Sequence, residues 1–249
     1  MKLGALLTFA RGDSPNDIVD QARLYEEEGF DSIWTAHAMG RGFIMTDPFV
    51  ALAAVSAVTE RVEIGTAILQ LPIYNPTDVA LKAFSIQQMS GGRLLLGIGA
   101  GSTEVDYLVH GCEYNDRFGA FEEKLSQLRQ TLQTGCVGEH DLSPWPAVKA
   151  RVPLLFGTWG KNVVRAANEF DGWIASGMHR TPEQCAEALK GYRVEGGQRA
   201  IVSTIRIDRN TDIGMFKEMM LGYREAGFDD AVVMFLPGAP TPAEIRNLL

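Results

Sequence analysis

The amino-acid sequence predicts a single-domain (β/α)8 barrel. Eight short apolar runs alternate with segments of helical period, and the runs start near residues 3, 32, 62, 94, 153, 172, 200 and 229. Most of these starts are about 30 residues apart, the length of one βα unit. The runs are unbroken rather than alternating, as in parallel strands covered by protein on both faces. Eight such units in 249 residues match one barrel of this class. A doubly wound open sheet is the competing architecture. It seldom uses eight units, and no composition shift marks a halfway boundary.

The elements follow in order. Leu3–Phe9 reads as the first strand. Ser14-Pro15-Asn16-Asp17 opens a helix with Ile18, Ala22 and Tyr25 on one face, and Gly29 ends it. Ser32–Thr35 is the second strand, and Asp47-Pro48 opens an apolar helix that runs to Val58. Val62–Leu69 reads as a continuous third strand, followed by a helix over Thr77–Met89. Gly91-Gly92 turns into the fourth strand, Leu94–Ile98. Thr103-x-x-Asp106 then has the pattern of a capping box, and a long helix covers Phe118–Leu132. Residues 135–151, rich in Gly, Pro and Trp, read as an insertion at the barrel rim. The last four strands are Val152–Phe156, Trp173–Ala175, Ala200–Ile207 and Ala231–Leu236. Their helices are Lys161–Phe170, Pro182–Val194, Ile213–Ala226 and a short segment from Pro242.

Composition narrows the function. Twenty-three Lys+Arg against 31 Asp+Glu leave a net charge of −8, which argues against the basic face that nucleic acid requires. No apolar run reaches the roughly 18 residues of a membrane span, and Leu3–Phe9 reads as a strand rather than a signal peptide. The odd set Cys112, Cys136 and Cys185 contains no C-x-x-C, so free thiols in a reducing cytoplasm are expected. His37, His110, His140 and His179 show no metal-ligand spacing, and no metal is expected.

Active sites of such barrels lie at the C-terminal strand ends. The candidates there are Phe9 after strand one and His37, Arg41 and Phe43 after strand two. Ala67 and Ile68 follow strand three, and Gly99, Ala100, Gly101 and Ser102 follow strand four. Gly157, Thr158, Trp159 and Gly160 follow strand five, and Ser176, Gly177, Met178 and His179 follow strand six. Glycines, hydroxyls and apolar groups dominate. Paired carboxylates and a Schiff-base lysine are missing, so a bound cofactor is expected to carry the chemistry. The Gly97-x-Gly99-x-Gly101-Ser102 turn suits an anion or a flat ring lying on the backbone, although a plain βα turn has the same composition. Its spacing departs from the dinucleotide fingerprint. Gly157–Gly160, just before a helix start at Lys161-Asn162, suits a phosphate. His37 is a candidate acid/base or hydrogen-bonding group. His110, His140 and Cys112 read as structural or exposed.

Several stretches together resemble the bacterial luciferase-like superfamily of flavin- and F420-dependent oxidoreductases. They are Glu28-Gly29-Phe30-Asp31-Ser32-Ile33-Trp34 with His37 beyond, Asp47-Pro48-Phe49, and Thr59-Glu60-Arg61-Val62-Glu63-Ile64-Gly65-Thr66. Tyr74-Asn75-Pro76, Ser90-Gly91-Gly92-Arg93-Leu94 through Gly101, and Phe170-Asp171-Gly172-Trp173 complete the set. The resemblance implies a shortened barrel of this type holding reduced FMN or F420 at its mouth. It places a bulge, often with a non-prolyl cis peptide, at Ala67-Ile68. It sets Phe9 and Gly99–Ser102 beside the cofactor and gives the cofactor's tail to Gly157–Gly160 and Ser176-Gly177. His37 matches the family's histidine near ring and substrate, and Arg41, Phe43, Met178 and His179 would face the substrate.

This chain also departs from its relatives. Ala36 stands where many carry an acid beside the histidine. Ser102 and Met178 stand where F420-dependent sugar-phosphate dehydrogenases carry a glutamate and a lysine, which argues against a sugar-phosphate substrate. Ile73 replaces a common arginine. The resemblance implies an oxidoreductase acting on a small organic substrate, by hydride transfer with F420 or as a monooxygenase with FMN. A non-catalytic flavin-binding protein and a phosphate-metabolite isomerase are the other readings. A homodimer is expected, with the apolar helix Asp47–Val58 either at its interface or packed on the barrel.

Overall fold

The computed structural model describes residues 1–8, 17–43 and 45–249. Phe9 and the expected helix start at Ser14–Asn16 lie outside them. The strands are β1 (Lys2–Leu6), β2 (Ser32–Thr35), β3 (Glu63–Thr66), β4 (Leu69–Gln70), β5 (Leu94–Gly99), β6 (Cys136–Val137), β7 (His140–Asp141), β8 (Leu154–Gly157), β9 (Gly172–Ser176), β10 (Ala200–Ile207) and β11 (Asp230–Phe235). The helices are α1 (Asp17–Glu27), α2 (Pro48–Val58), α3 (Pro76–Met89), α4 (Glu104–Val109), α5 (Arg117–Thr134), α6 (Asn162–Glu169), α7 (Pro182–Val194), α8 (Ile213–Ala226) and α9 (Pro242–Leu248).

All barrel pairings are parallel, and the order is β3-β2-β1-β11-β10-β9-β8-β5. β3 also pairs with β5 through Ile64↔Leu94 and Gly65↔Leu95, which closes the sheet. With β3 and β4 taken as one interrupted strand, the barrel has eight. Among the described residues no helix is long and apolar enough to cross a membrane.

Strand residues alternate between two apolar layers, as the two-residue period requires. Leu3, Ala5, Ile33, Ile64, Leu96 and Phe156 pack outward against the helices. Leu6, Trp34, Ala67, Leu95, Leu155, Ile174, Ile201, Val232 and Met234 fill the lumen. Trp34 is fully buried, and its indole lies where two glycines make room. A Cβ on Gly4 would stand 2.9 Å from Trp34 Nε1, and one on Gly65 would stand 2.6 Å from Cζ3. The indole N–H donates to Ser32 Oγ at 2.8 Å. Below it, Arg199 spans the base of the barrel. Its guanidinium donates to Glu63 at 2.9 and 2.7 Å and to Asp230 at 2.8 and 2.7 Å.

Three expectations need correction. The first strand ends at Leu6 rather than Phe9. The third is not continuous: Thr66, Ala67 and Ile68 on this strand face only Leu96 and Gly97 on β5, because the register moves from Gly65↔Leu95 to Leu69↔Ile98. This is a β-bulge, with one extra residue that re-aims the side chains beyond it. Thr66 Oγ1 anchors it by donating to Gly97 O at 2.7 Å. The capping box is also absent, since the Thr103 side chain makes no cap hydrogen bond. Residues 135–151 form the β6–β7 hairpin and a segment that buries Val148 in the outer core. They connect the end of α5 to the start of β8, so they sit at the N-terminal end of the barrel, opposite the mouth. α2 packs Phe49, Ala51, Leu52 and Val55 onto the barrel.

Candidate functional site

The mouth is built from the first residues past each strand. Ala36, Ile68 and Leu236 edge the lumen cluster. Ile68 lies across the ends of β5 and β8. A Cβ on Gly99 would meet Ile68 Cδ1 at 2.7 Å, and one on Gly157 would run into Ile68 Cγ2. Neither glycine has a positive φ, so glycine is required at both for space. The Ala67-Ile68 peptide is cis, at the position the resemblance implies. On either side of it, Ile68 O accepts from His37 N–H at 3.1 Å, and Ala67 N–H donates to Thr35 O at 2.7 Å. The bulge is thus stitched to the end of β2.

His37 is 8% exposed and sits among rings. Tyr74 is 5.3 Å away and His110 5.2 Å, both edge-on. Burial, then the neighbouring His110, depress its pKa to about 4, against the weaker upward pull of Asp106 and Asp47. His37 is therefore a neutral imidazole at neutral pH. Burial and Asp47 raise the Tyr74 hydroxyl, so this tyrosine is neutral too.

A buried polar cluster supports His37. Gln70 Nε2 donates to Asp106 Oδ2 at 2.6 Å and to His37 O at 3.2 Å, and stands 3.4 Å from His37 Nδ1. Asp106, fully buried on α4, also accepts from Met39 N at 3.0 Å and Arg41 Nε at 2.9 Å, with a second bond from Arg41 Nη2. Burial alone would raise its pKa, but these bonds hold the carboxyl below the usual range. Arg41, expected to face substrate, ties the loop after β2 to α4. Its side chain is 30% exposed, against 0% for Asp106.

The two acceptors around Gln70 Nε2 orient its amide and leave Oε1 buried with no partner among the described residues. Gly101, at φ 76, crosses directly over that oxygen, where a Cβ would collide with it. The turn's carbonyls are occupied. Ala100 O accepts from the Tyr107 hydroxyl, and Ser102 O accepts from Tyr114 at 3.1 Å. The N–H groups of Gly101 and Ser102 make no hydrogen bond among the described residues, nor do those of Gly160 and Lys161 ahead of α6. Arg180 stacks on Trp159 with 4.8 Å to the ring, and Trp173 Nε1 donates to Thr158 O at 3.0 Å. Gly157, Thr158, Trp159, Ser176 and Gly177 are half-buried, while Gly160, Phe43, Met178 and His179 are exposed.

The structure therefore brings His37, Ala67, Ile68 and Gly99–Ser102 together at the mouth, with the end of β8 against Ile68 and the end of β9 beyond it. It adds Gln70, Tyr74, Asp106 and His110, none of which stood out as a site residue in the sequence. Two grooves lie elsewhere. One of about 360 Å³ runs along α5 beside Arg129 and Arg165. Another of about 460 Å³ leads away from Trp159 between α6 and α7. Neither holds a shifted titratable group beside an unpaired buried atom, whereas the mouth does.

A closed parallel barrel with a bulged third strand and its polar cluster at the strand ends defines a class, and sequence comparison places the chain in it. The luciferase-like monooxygenase family matches residues 1–206, and the chain belongs to that family. Over 195 residues it is 29% identical to a Mycobacterium tuberculosis protein provisionally named a coenzyme F420-dependent oxidoreductase, covering 70% of this chain and 55% of that one. It is 27% identical to an F420-dependent glucose-6-phosphate dehydrogenase of Amycolatopsis mediterranei, covering 80% of this chain and 64% of that one. The chain thus spans less than two thirds of the length of these two relatives. In structure it is similar to a monooxygenase from Streptomyces bottropensis, with a TM-score of 0.83, 17% identity and coverage of 100% and 97%. It is also similar to an F420-dependent secondary alcohol dehydrogenase, with a TM-score of 0.80, 18% identity and coverage of 100% and 98%. These two likenesses carry the fold.

Proposed function

We propose that the chain is an oxidoreductase that works with a reduced flavin-type cofactor at the barrel mouth, with F420 as the cofactor and hydride transfer to or from a small organic substrate as the reaction. One observation carries this reading: the Ala67-Ile68 bulge, bounded by Gly99 and Gly157, lies beside turns whose N–H groups are unbonded. Glycines at these positions leave room for a flat ring against the backbone, and unpaired N–H groups suit a phosphate-bearing tail. Gln70 Oε1, buried and unpaired among the described residues, suits a polar ring edge. The residues present fit such a group.

Ala67, Ile68 and Gly99–Ser102 would hold the ring, and Gly157–Gly160 with Ser176-Gly177 the tail. Phe43, Met178 and His179 would border the substrate. When bound in reduced form, F420 supplies a hydride, whereas FMN supplies electrons for oxygen activation. His37, held neutral and facing the Gln70 amide through Nδ1, keeps its proton on Nε2. It orients substrate by hydrogen bonding rather than delivering a proton. The F420-dependent names of the two relatives at 29% and 27% identity support F420 over FMN.

The test is a titration of the apoprotein with oxidised and reduced FMN and F420, followed by tryptophan fluorescence. Micromolar binding of F420 in preference to FMN is the expected result. Preference for FMN would make the protein a monooxygenase instead. Binding without turnover on a broad substrate panel would mark a carrier, and binding of neither would remove the cofactor reading.

A further inference from the structure

β10 carries a second bulge, and it has a different consequence. Its register on β11 passes from Val202↔Ala231 to Ile205↔Val233, so Ser203 and Thr204 together face Val232. Thr204 has φ 59, a left-handed conformation that β-branched residues rarely adopt. The extra residue inverts the alternation beyond it. Val202, Ile205 and Ile207 all pack in the outer layer, which leaves Arg206 on the inner side. The register agrees, because Arg206 lies opposite Met234, a member of the lumen cluster. Without the inserted residue, Arg206 would point into the helical layer.

Arg206 is exposed and makes no hydrogen bond or ion pair among the described residues. Its partner across the register, Met234, and the lumen residue Leu236 beyond it are apolar. Arg206 is therefore a charged side chain that β10 aims into the opening, and a strained backbone sets its direction. Strain of this kind clusters at functional sites.

We propose that Arg206 is a specificity-determining residue that binds the carboxylate of an organic acid substrate. A single guanidinium matches a carboxylate with two parallel N–H···O bonds, and the apolar Met234, opposite Arg206 on β11, suits the carbon chain of such an acid. The assignment rests on the cofactor-dependent reading for its role in a reaction, but the binding of the acid is measurable without the cofactor.

The experiment compares wild type, Arg206→Met and Arg206→Lys, with hexanoate as the probe and 1-hexanol as its neutral match. Binding is followed by calorimetry on the apoprotein and on the cofactor-loaded protein, and circular dichroism checks the fold of each variant. Hexanoate is expected to bind wild type at least tenfold more tightly than R206M, with R206K between them, while hexanol does not distinguish the three. Equal hexanoate affinity in wild type and R206M, or no binding to either, overturns the proposal. FMN and F420 titrations of the same variants separate the other source of an anion. Cofactor affinity unchanged by R206M supports a substrate carboxylate. A tenfold loss of cofactor affinity assigns Arg206 to the cofactor's tail and overturns the substrate role. Failure of wild type to bind either cofactor removes the cofactor reading, while hexanoate still decides the role of Arg206 in binding.

Discussion

The neutral state of His37 should be measurable as pH-dependent stability. Its pKa is about 4 in the fold, against 6.5 when free. Between these values the unfolded chain binds the extra proton and the folded chain does not, so stability rises with pH across this window. The full difference is about 3 kcal/mol, and about 2 kcal/mol of it is lost on going from about pH 7.5 to about pH 5. The perturbation is His37→Gln, which keeps a polar group of similar reach and removes the titration. Urea unfolding of both proteins across that range is the assay. Wild type should lose about 2 kcal/mol more than the variant. Other titrating groups contribute to both curves and cancel in the difference. Parallel curves, or a His37 ring-proton resonance that titrates near the free value, would refute the argument that burial and His110 keep this ring uncharged.

Three further outcomes follow from the same geometry. Gly157→Ala should cost about 1–3 kcal/mol by overpacking against Ile68 and weaken cofactor binding in the fluorescence titration, whereas an unchanged variant would show that Ile68 does not press on β8. Arg199→Met should destabilise by about 3–5 kcal/mol at neutral pH, because Asp230 is left buried without its partner. Burial already raises the Asp230 carboxyl, so that deficit should shrink as the solution is acidified, and denaturant midpoints at two pH values test it. Thr204→Gly should relieve the left-handed backbone at a small entropic cost, for a net gain of about 1 kcal/mol. Calorimetry should show a melting temperature higher by roughly 2–4 °C, and a fall would place no strain at this bulge.

The barrel was legible because its signals are local and repeated. Asp47-Pro48 marks a helix start, and the Asp47 carboxylate does accept from Phe49 N at 2.9 Å and Val50 N at 3.1 Å. The apolar strands show their rhythm without any knowledge of their partners. The bulge at Ala67-Ile68 was readable only through family resemblance, since Val62–Leu69 is mostly apolar and hides the break. Asp106 was misread for a related reason. Its spacing from Thr103 fits a cap three residues away, yet its carboxylate serves Arg41, 65 positions distant in the chain. Gln70 is a lone amide at the end of an apolar run, and nothing nearby shows that it will be buried. Arg206 sits between Ile205 and Ile207, a pattern that signals an opposite face. Which face is inside depends on one extra residue upstream, and that is settled only by pairing with β11.

The indole of Trp34 has a consequence for traffic through the molecule. With Gly4 and Gly65 pressed against it and Arg199 bridging Glu63 and Asp230 beneath, the barrel is a cup with a sealed floor. If the proposed cofactor and substrate both enter by the mouth, a stopper at the bottom makes the deeper one the first to arrive and the last to depart.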